Sequence, residues 1–228
     1  MNEITTLGSE LERLLQGVPL PHILGEWEFY RRSFYVSPAV LIPRPETEVL
    51  VERAISITAE LEFPLIADIG TGSGAIAVTL AAECPHAALI ATDISRAALE
   101  MASKNAHRHH QDRISFLQAD LLEPFQTQFN LICANLPYIP TTTLGALAVA
   151  HWEPALALDG GTTGLDLIER FLSQVKQRLA KGGSVLLEIE SSLGKESQSA
   201  AEAAFPDAEI ILRQDLACRD RLIEIRTD

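Results

Sequence analysis

From Leu65 onward the chain alternates short apolar runs with longer stretches of helical periodicity, and this alternation limits the folds open to it more than any other feature. A run apolar on both faces needs cover on both sides, so strands of this kind belong to a mostly parallel sheet flanked by helices. The runs predict seven strands, at Leu65–Ile69, Ala88–Thr92, Ile114–Gln118, Phe129–Ala134, Ser184–Glu190, Glu209–Arg213 and Arg221–Arg226. The stretches between them predict helices at Ala75–Glu83, Arg96–His107, Gly164–Ala180 and Gly194–Ala204. The third and fourth strands are joined by a short non-helical link. No helix separates the last two, so the final strand is expected to return antiparallel.

Ahead of the sheet, a helix is expected around Ser9–Gln16 and another at Glu46–Glu60. Between them, "EWEFYRRSFYVSPAVLIP" alternates aromatic and polar residues on either side of Arg31-Arg32, the pattern of a hairpin. The expected division is a helical segment at 1–25, a β-hairpin at 26–43 and one α/β domain at 44–228. Residues 136–161 show no clear period, and long stretches of this kind inside compact domains usually carry function or move.

Eighteen basic against thirty-one acidic residues give a formal charge of −13, which repels a phosphate backbone over most of the surface and argues against direct nucleic-acid binding. Only "RRSF" at Arg31–Phe34 and "HRHH" at His107–His110 could form basic patches. Cys84, Cys133 and Cys218 lack metal-ligand spacing, so free, mostly buried thiols are expected, with neither zinc nor disulfide. There is no apolar run of membrane-spanning length, and the acidic N-terminus is unlike a signal peptide. A cytoplasmic protein is expected.

In an open parallel sheet, ligands bind beyond the carboxyl ends of the strands. The first strand ends in "ADIGTGSGAIA", where Gly70, Gly72 and Gly74 allow a sharp turn and a close backbone approach at a helix start. Such a turn can also serve only to pack strand on helix. Asp93, ending the second strand, can accept from both hydroxyls of a ribose, or cap the next helix. Asp120, ending the third, can accept from an adenine amino group with Leu121 against the ring, or be a turn residue. The fourth ends in "ANLPYIP". Asn before Pro is ordinary turn chemistry, but with adenosine held by the first three strand ends, Asn135 would lie beside the reactive end of the cofactor.

Glycine turn, acid and Asn-x-Pro-Tyr together resemble a class I S-adenosylmethionine-dependent methyltransferase of Rossmann-like fold. "VLIPRPETEVLVE" at 40–52, "DIGTGSGAIA" at 68–77, "EPALALDGGTTGLDLIERF" at 153–171 and "LLEI" at 186–189 are similar to the HemK/PrmC family, which methylates the glutamine side-chain amide of peptide-chain release factors. The resemblance runs from about residue 17 to the end. It implies S-adenosylmethionine as cofactor, with Gly70, Thr71, Gly72, Ser73 and Gly74 along its methionine and ribose portion, Asp93 on the ribose, Asp120 and Leu121 at the adenine, and Asn135 beside the reactive end. Asn135, Pro137 and Tyr138 would be catalytic. Asn135, Leu136, Pro137 and Tyr138 would grip the acceptor glutamine, with Arg44 and Glu46 beside it. No metal is implied. Leu136 stands where the family has its first proline, and Asn-Leu-Pro-Tyr is reminiscent of ribosomal RNA adenine dimethyltransferases. An adenine-N6 methyltransferase and a non-catalytic cofactor-binding relative are the alternative readings.

Overall fold

The computed structural model describes residues 3–228, with side chains from Gly8 onward. The chain begins with α1 (Glu3–Leu15) and α2 (Leu20–Leu24), followed by a hairpin of β1 (Glu26–Phe29) and β2 (Arg32–Tyr35). There follow α3 (Thr47–Thr58), β3 (Leu65–Ile69), α4 (Ala75–Glu83), β4 (Ala88–Asp93), α5 (Arg96–Arg108), β5 (Ser115–Gln118), β6 (Phe129–Asn135) and the single-turn α6 (Thr141–Leu144). The last part comprises α7 (Asp166–Val175), β7 (Leu179–Glu188), α8 (Gly194–Ala204), β8 (Glu209–Gln214) and β9 (Asp220–Arg226).

The seven-stranded sheet has the order β5-β4-β3-β6-β7-β9-β8. β3 to β7 run parallel, and β9 lies antiparallel to both its neighbours, as the missing last crossover predicts. After β3 the chain moves outward through β4 to β5, then returns to place β6 on the other side of β3. That reversal opens a crevice beyond Ile69 and Asn135, where a ligand can lie.

Alternation along the strands divides the core into two layers. Ile66, Leu131, Cys133 and Leu186 face the side covered by the hairpin, α3 and α4. Ala67, Ile69, Ile132, Ala134, Val185 and Leu187 face the side covered by α7 and α8. Residues Ala75 to Ala81 of α4 are all buried, which explains why "AIAVTLAAE" has no polar stripe.

The hairpin turns at Tyr30-Arg31, both with positive φ (46° and 60°), the two-residue turn whose twist suits the flanking strands. The expected centre at Arg31-Arg32 is one residue late because neither turn residue is the usual Gly or Asn. The hairpin packs on α5, where Asn105 is fully buried. Asn105 Oδ1 accepts from Tyr35 N–H at 2.7 Å, while its Nδ2 donates to Tyr35 O at 3.0 Å and Ser73 O at 2.8 Å. One carboxamide therefore joins hairpin, helix and glycine turn. Parts of the two basic stretches are used in internal contacts of the hairpin: Arg108 pairs with Glu26 at 2.8 Å, Arg32 with Glu83 of α4 at 2.6 Å, and the His109 ring reaches Ser33 O at 2.8 Å.

Several element limits differ from expectation. α1 begins at Glu3 rather than Ser9, and the short α2 has no counterpart in the sequence reading. α7 is shorter than Gly164–Ala180 because Leu179 already pairs with Phe129, so β7 starts ahead of the Gly182-Gly183 irregularity rather than at Ser184. β7 ends at Glu188 because Glu190 leaves the sheet to cap a short 3-10 turn, accepting from Ser192 N–H at 2.6 Å. Cys84 and Cys133 are buried and Cys218 is exposed, all three as free thiols. Among the described residues no helix is long and apolar enough to cross a membrane.

Candidate active site

The crevice at the switch in strand order is a cavity of about 630 Å³, within the size range of small-molecule sites. Four strand ends and the loops above them build it.

At the end of β3 the chain turns through Gly70, Thr71, Gly72 and Ser73, all lining the cavity. Gly70 and Gly72 have φ of 74° and 57°, a region that disfavours side chains. Asp68 holds this turn from below: one carboxylate oxygen accepts from Thr71 Oγ1 at 2.6 Å and from Ala77 N–H at 3.1 Å. Its other oxygen is buried without a partner, and burial raises its pKa to about 7. Gly74 does not line the cavity. It caps α4, and a Cβ there would stand 3.0 Å from Ala102 on α5, so its lack of a side chain serves helix packing.

Asp93, at the end of β4, binds backbone on either side of it, while the cap of α5 is its neighbour Ser95. Oδ2 accepts from Gly72 N–H at 2.9 Å and Oδ1 from Ser95 N–H at 2.8 Å, tying glycine turn to helix start. Ser95 itself caps α5, accepting from Ala98 N–H. Asp93 also lines the cavity. Burial raises the Asp93 pKa, while the backbone donors oppose the rise.

Beyond β5, Asp120 and Leu121 reach the opposite end of the cavity. Leu121 holds a left-handed φ of 51°, a strained conformation of the kind that gathers at ligand sites. Asp120 forms an ion pair with Arg170 of α7, which also lines the cavity.

Asn135, Leu136 and Pro137 form the wall at the end of β6. Asn135 Nδ2 donates to Thr47 Oγ1 at 3.2 Å, which leaves Oδ1 for other use. Leu136 is buried in the α7 side of the core, and a Cβ on Gly70 would come within 3.3 Å of its Cδ2. The leucine thus seals the base of the cavity against the glycine turn. Tyr138 lies behind this wall rather than on it, and burial raises its phenol pKa to about 12. Its backbone is clasped by Gly160, whose Cβ would stand 2.6 Å from Tyr138 Cα.

The segment before α3 and the long 136–161 loop close the top. Arg44 lines the cavity, but its guanidinium is committed to Glu153, with Nη2 at 2.6 and 2.7 Å from the two carboxylate oxygens. Glu46 is outside the cavity lining and faces Arg221 at 3.8 Å. The residues that sequence reasoning missed are Asp68, Thr47, Glu153, Arg170 and Glu188. Asp68 and Glu188 left a signal, since each is an acid inside an apolar run; the other three are defined by distant partners.

The Methyltransferase small domain family matches residues 47–150. Release factor glutamine methyltransferases of Moorella thermoacetica and Rhodopirellula baltica are 43% and 40% identical over 216 and 221 residues. Each alignment spans 92% of this chain, with 76% and 74% of the relative. A protein-(glutamine-N5) methyltransferase (release factor-specific) of Alicyclobacillus acidocaldarius superimposes with a TM-score of 0.53 at 28% identity, over 86% of this chain and 99% of that one. A 16S rRNA methyltransferase of Thermus thermophilus in complex with AdoMet and guanosine shares the fold alone, with a TM-score of 0.65 at 16% identity over 89% of this chain and 50% of that one. Identity sustained across nine-tenths of the sequence is far more than a shared fold requires, and the chain belongs to the release factor glutamine methyltransferase family.

Proposed function

We propose that this chain transfers a methyl group from S-adenosylmethionine to the side-chain amide nitrogen of a glutamine in peptide-chain release factors, working in the cytoplasm. The names of its relatives support the substrate. The observation that carries the chemistry is Asn135, whose Nδ2 is occupied by Thr47 at 3.2 Å while its Oδ1 stays available at the cavity wall.

The cavity suits the donor. Asp93 lines the cavity as an acceptor for a vicinal diol, and a Cβ on Gly72 would meet nothing nearer than Gly70 O at 4.0 Å, so the backbone there is open to close approach. When bound, S-adenosylmethionine supplies a methyl group made electrophilic by the positive sulfur.

The remaining work is orientation. An amide nitrogen shares its lone pair with the carbonyl, and no side-chain base can remove its proton at neutral pH. Fixed acceptors can instead align the nitrogen and stabilise the positive charge that builds on it. Asn135 Oδ1 accepts from one N–H of the substrate amide and the Leu136 carbonyl from the other. Pro137 biases Leu136 toward an extended backbone, and any residue at 136 carries that carbonyl, so leucine in place of proline preserves the grip. Tyr138, neutral well beyond physiological pH, supports the wall and does not act as a base.

Asn135→Ala tests the assignment. The expected result is turnover lower by about two to three orders of magnitude with S-adenosylmethionine affinity nearly unchanged; turnover within a few-fold of wild type would remove Asn135 from the mechanism.

A further inference from the structure

Asn135 and Glu188 are paired neighbours at the ends of β6 and β7. In a parallel sheet such partners point to the same face, here the one on which α3 begins. Glu188 is 4% exposed, and its Oε2 is buried without a partner. It is absent from the cavity wall and the proposed chemistry does not use it. Asn135 is its partner across the sheet, Thr47 is bonded to that Asn135, and both side chains act on the Glu188 carboxylate by hydrogen bonding that lowers its pKa.

An amide can be turned end for end with little change in shape, so something must decide whether Asn135 shows the acceptor an oxygen or an NH2 group. A carboxylate only accepts hydrogen bonds. With Glu188 ionised, Thr47 O–H donates to Glu188 and the Thr47 oxygen accepts from Asn135 Nδ2, the bond found at 3.2 Å. Protonated Glu188 can donate to Thr47 instead. The Thr47 hydrogen is then free to donate to Asn135 Oδ1, which turns Nδ2 toward the substrate, where it opposes the amide's own N–H groups.

We propose that Glu188 is a positioning residue for amide methylation: acting through Thr47, its carboxylate fixes the orientation in which Asn135 presents Oδ1 to the glutamine. This rests on the glutamine-amide reading above. The charged and titratable groups around Glu188 are Glu46 ahead of α3, Tyr138 after β6 and Arg221 on β9. Burial, aided by Glu46, raises the Glu188 pKa to about 7, against the hydrogen bonds of Thr47 and Asn135 and the charge of Arg221. Its change of charge therefore falls near neutral pH.

The test has two parts. Turnover on a release factor at saturating S-adenosylmethionine is measured against pH for wild type, Glu188→Gln, Thr47→Val and Thr47→Ser. In parallel, the Asn135 side-chain NH2 signals are followed by NMR without substrate. Expected are a loss of wild-type turnover as pH falls through about 7, no such limb in Glu188→Gln, and turnover at pH 8 about tenfold lower in that variant, with donor affinity retained. Thr47→Val should fall similarly and Thr47→Ser should recover. The Asn135 NH2 signals should shift with a midpoint near 7 in wild type and stay fixed in Glu188→Gln. An active wild type whose acid limb survives in Glu188→Gln, or Asn135 signals indifferent to pH, overturns the proposal. A wild type that ignores release factors while its Asn135 signals still titrate overturns the substrate reading and upholds the Glu188 control of Asn135.

Discussion

The polar residues around the cavity hold one another in fixed orientations, and most of them have little freedom left. Asp93 is held by two backbone donors, Asn135 by Thr47, and Arg44 by Glu153. This is the preorganisation that positional catalysis requires. The Arg44–Glu153 pair is unequal: the arginine side chain is 36% exposed and the glutamate 1%. Removing the arginine strands a carboxylate that burial already pushes upward in pKa and that Arg44 pulls down. Arg44→Ala is expected to cost about 3 kcal/mol, as for one partner lost from a buried pair. Urea unfolding measures this, and limited proteolysis should show earlier cleavage within residues 145–161. A loss below about 1 kcal/mol would mean that Glu153 finds water or another partner.

At the scale of elements, the loop from 136 to 161 is better ordered than its lack of period suggests. It contains α6 and two 3-10 turns, and Ile139 bridges to Asp159. Gly160 and Gly164 lie against the backbone of Pro137 and Tyr138 so closely that a Cβ at either would collide with main-chain atoms. Gly160→Ala should therefore displace the Asn-Leu-Pro-Tyr turn, lowering stability by about 1–3 kcal/mol and turnover with it; the melting temperature and turnover measured together check this. Strands and the glycine turn were legible because burial on both faces imposes a local pattern. The start of β7 was not, since Leu179 is recruited by Phe129 fifty residues earlier in the chain, and neither was the tie between Arg44 and Glu153, whose partners share no local pattern. Asn135 could be singled out because the three preceding strand ends marked where a ligand would lie. Its orientation could not, because Thr47 and Glu188 arrive from other elements.

For the whole molecule, buried acids set opposing pH dependences. Burial raises the Glu224 pKa, but hydrogen bonds from Arg53, Arg213 and Arg226 outweigh it and bring the value down to about 2. A depressed carboxylate contributes stability that is present above its unfolded value and lost as pH falls toward the folded one. Asp68 and Glu188, raised to about 7, act in the opposite sense: their contribution declines as pH rises from the unfolded carboxylate value through 7. Glu224→Gln is expected to be about 2–3 kcal/mol less stable at pH 7, with the gap to wild type closing between about pH 4.5 and 2. Thermal unfolding across that range measures it; a gap independent of pH would show that the arginines do not hold Glu224 ionised. In the proposed chemistry a neutral carboxamide and a main-chain carbonyl, acting without a base, hold a glutamine amide against a methyl donor. Labelled S-adenosylmethionine incubated with the enzyme, purified release factors and bulk RNA, followed by mapping of the label, tests it most directly. The expected result is label on the glutamine nitrogen of the Gly-Gly-Gln loop; label confined to adenine in the RNA, or no transfer despite donor binding, would contradict it.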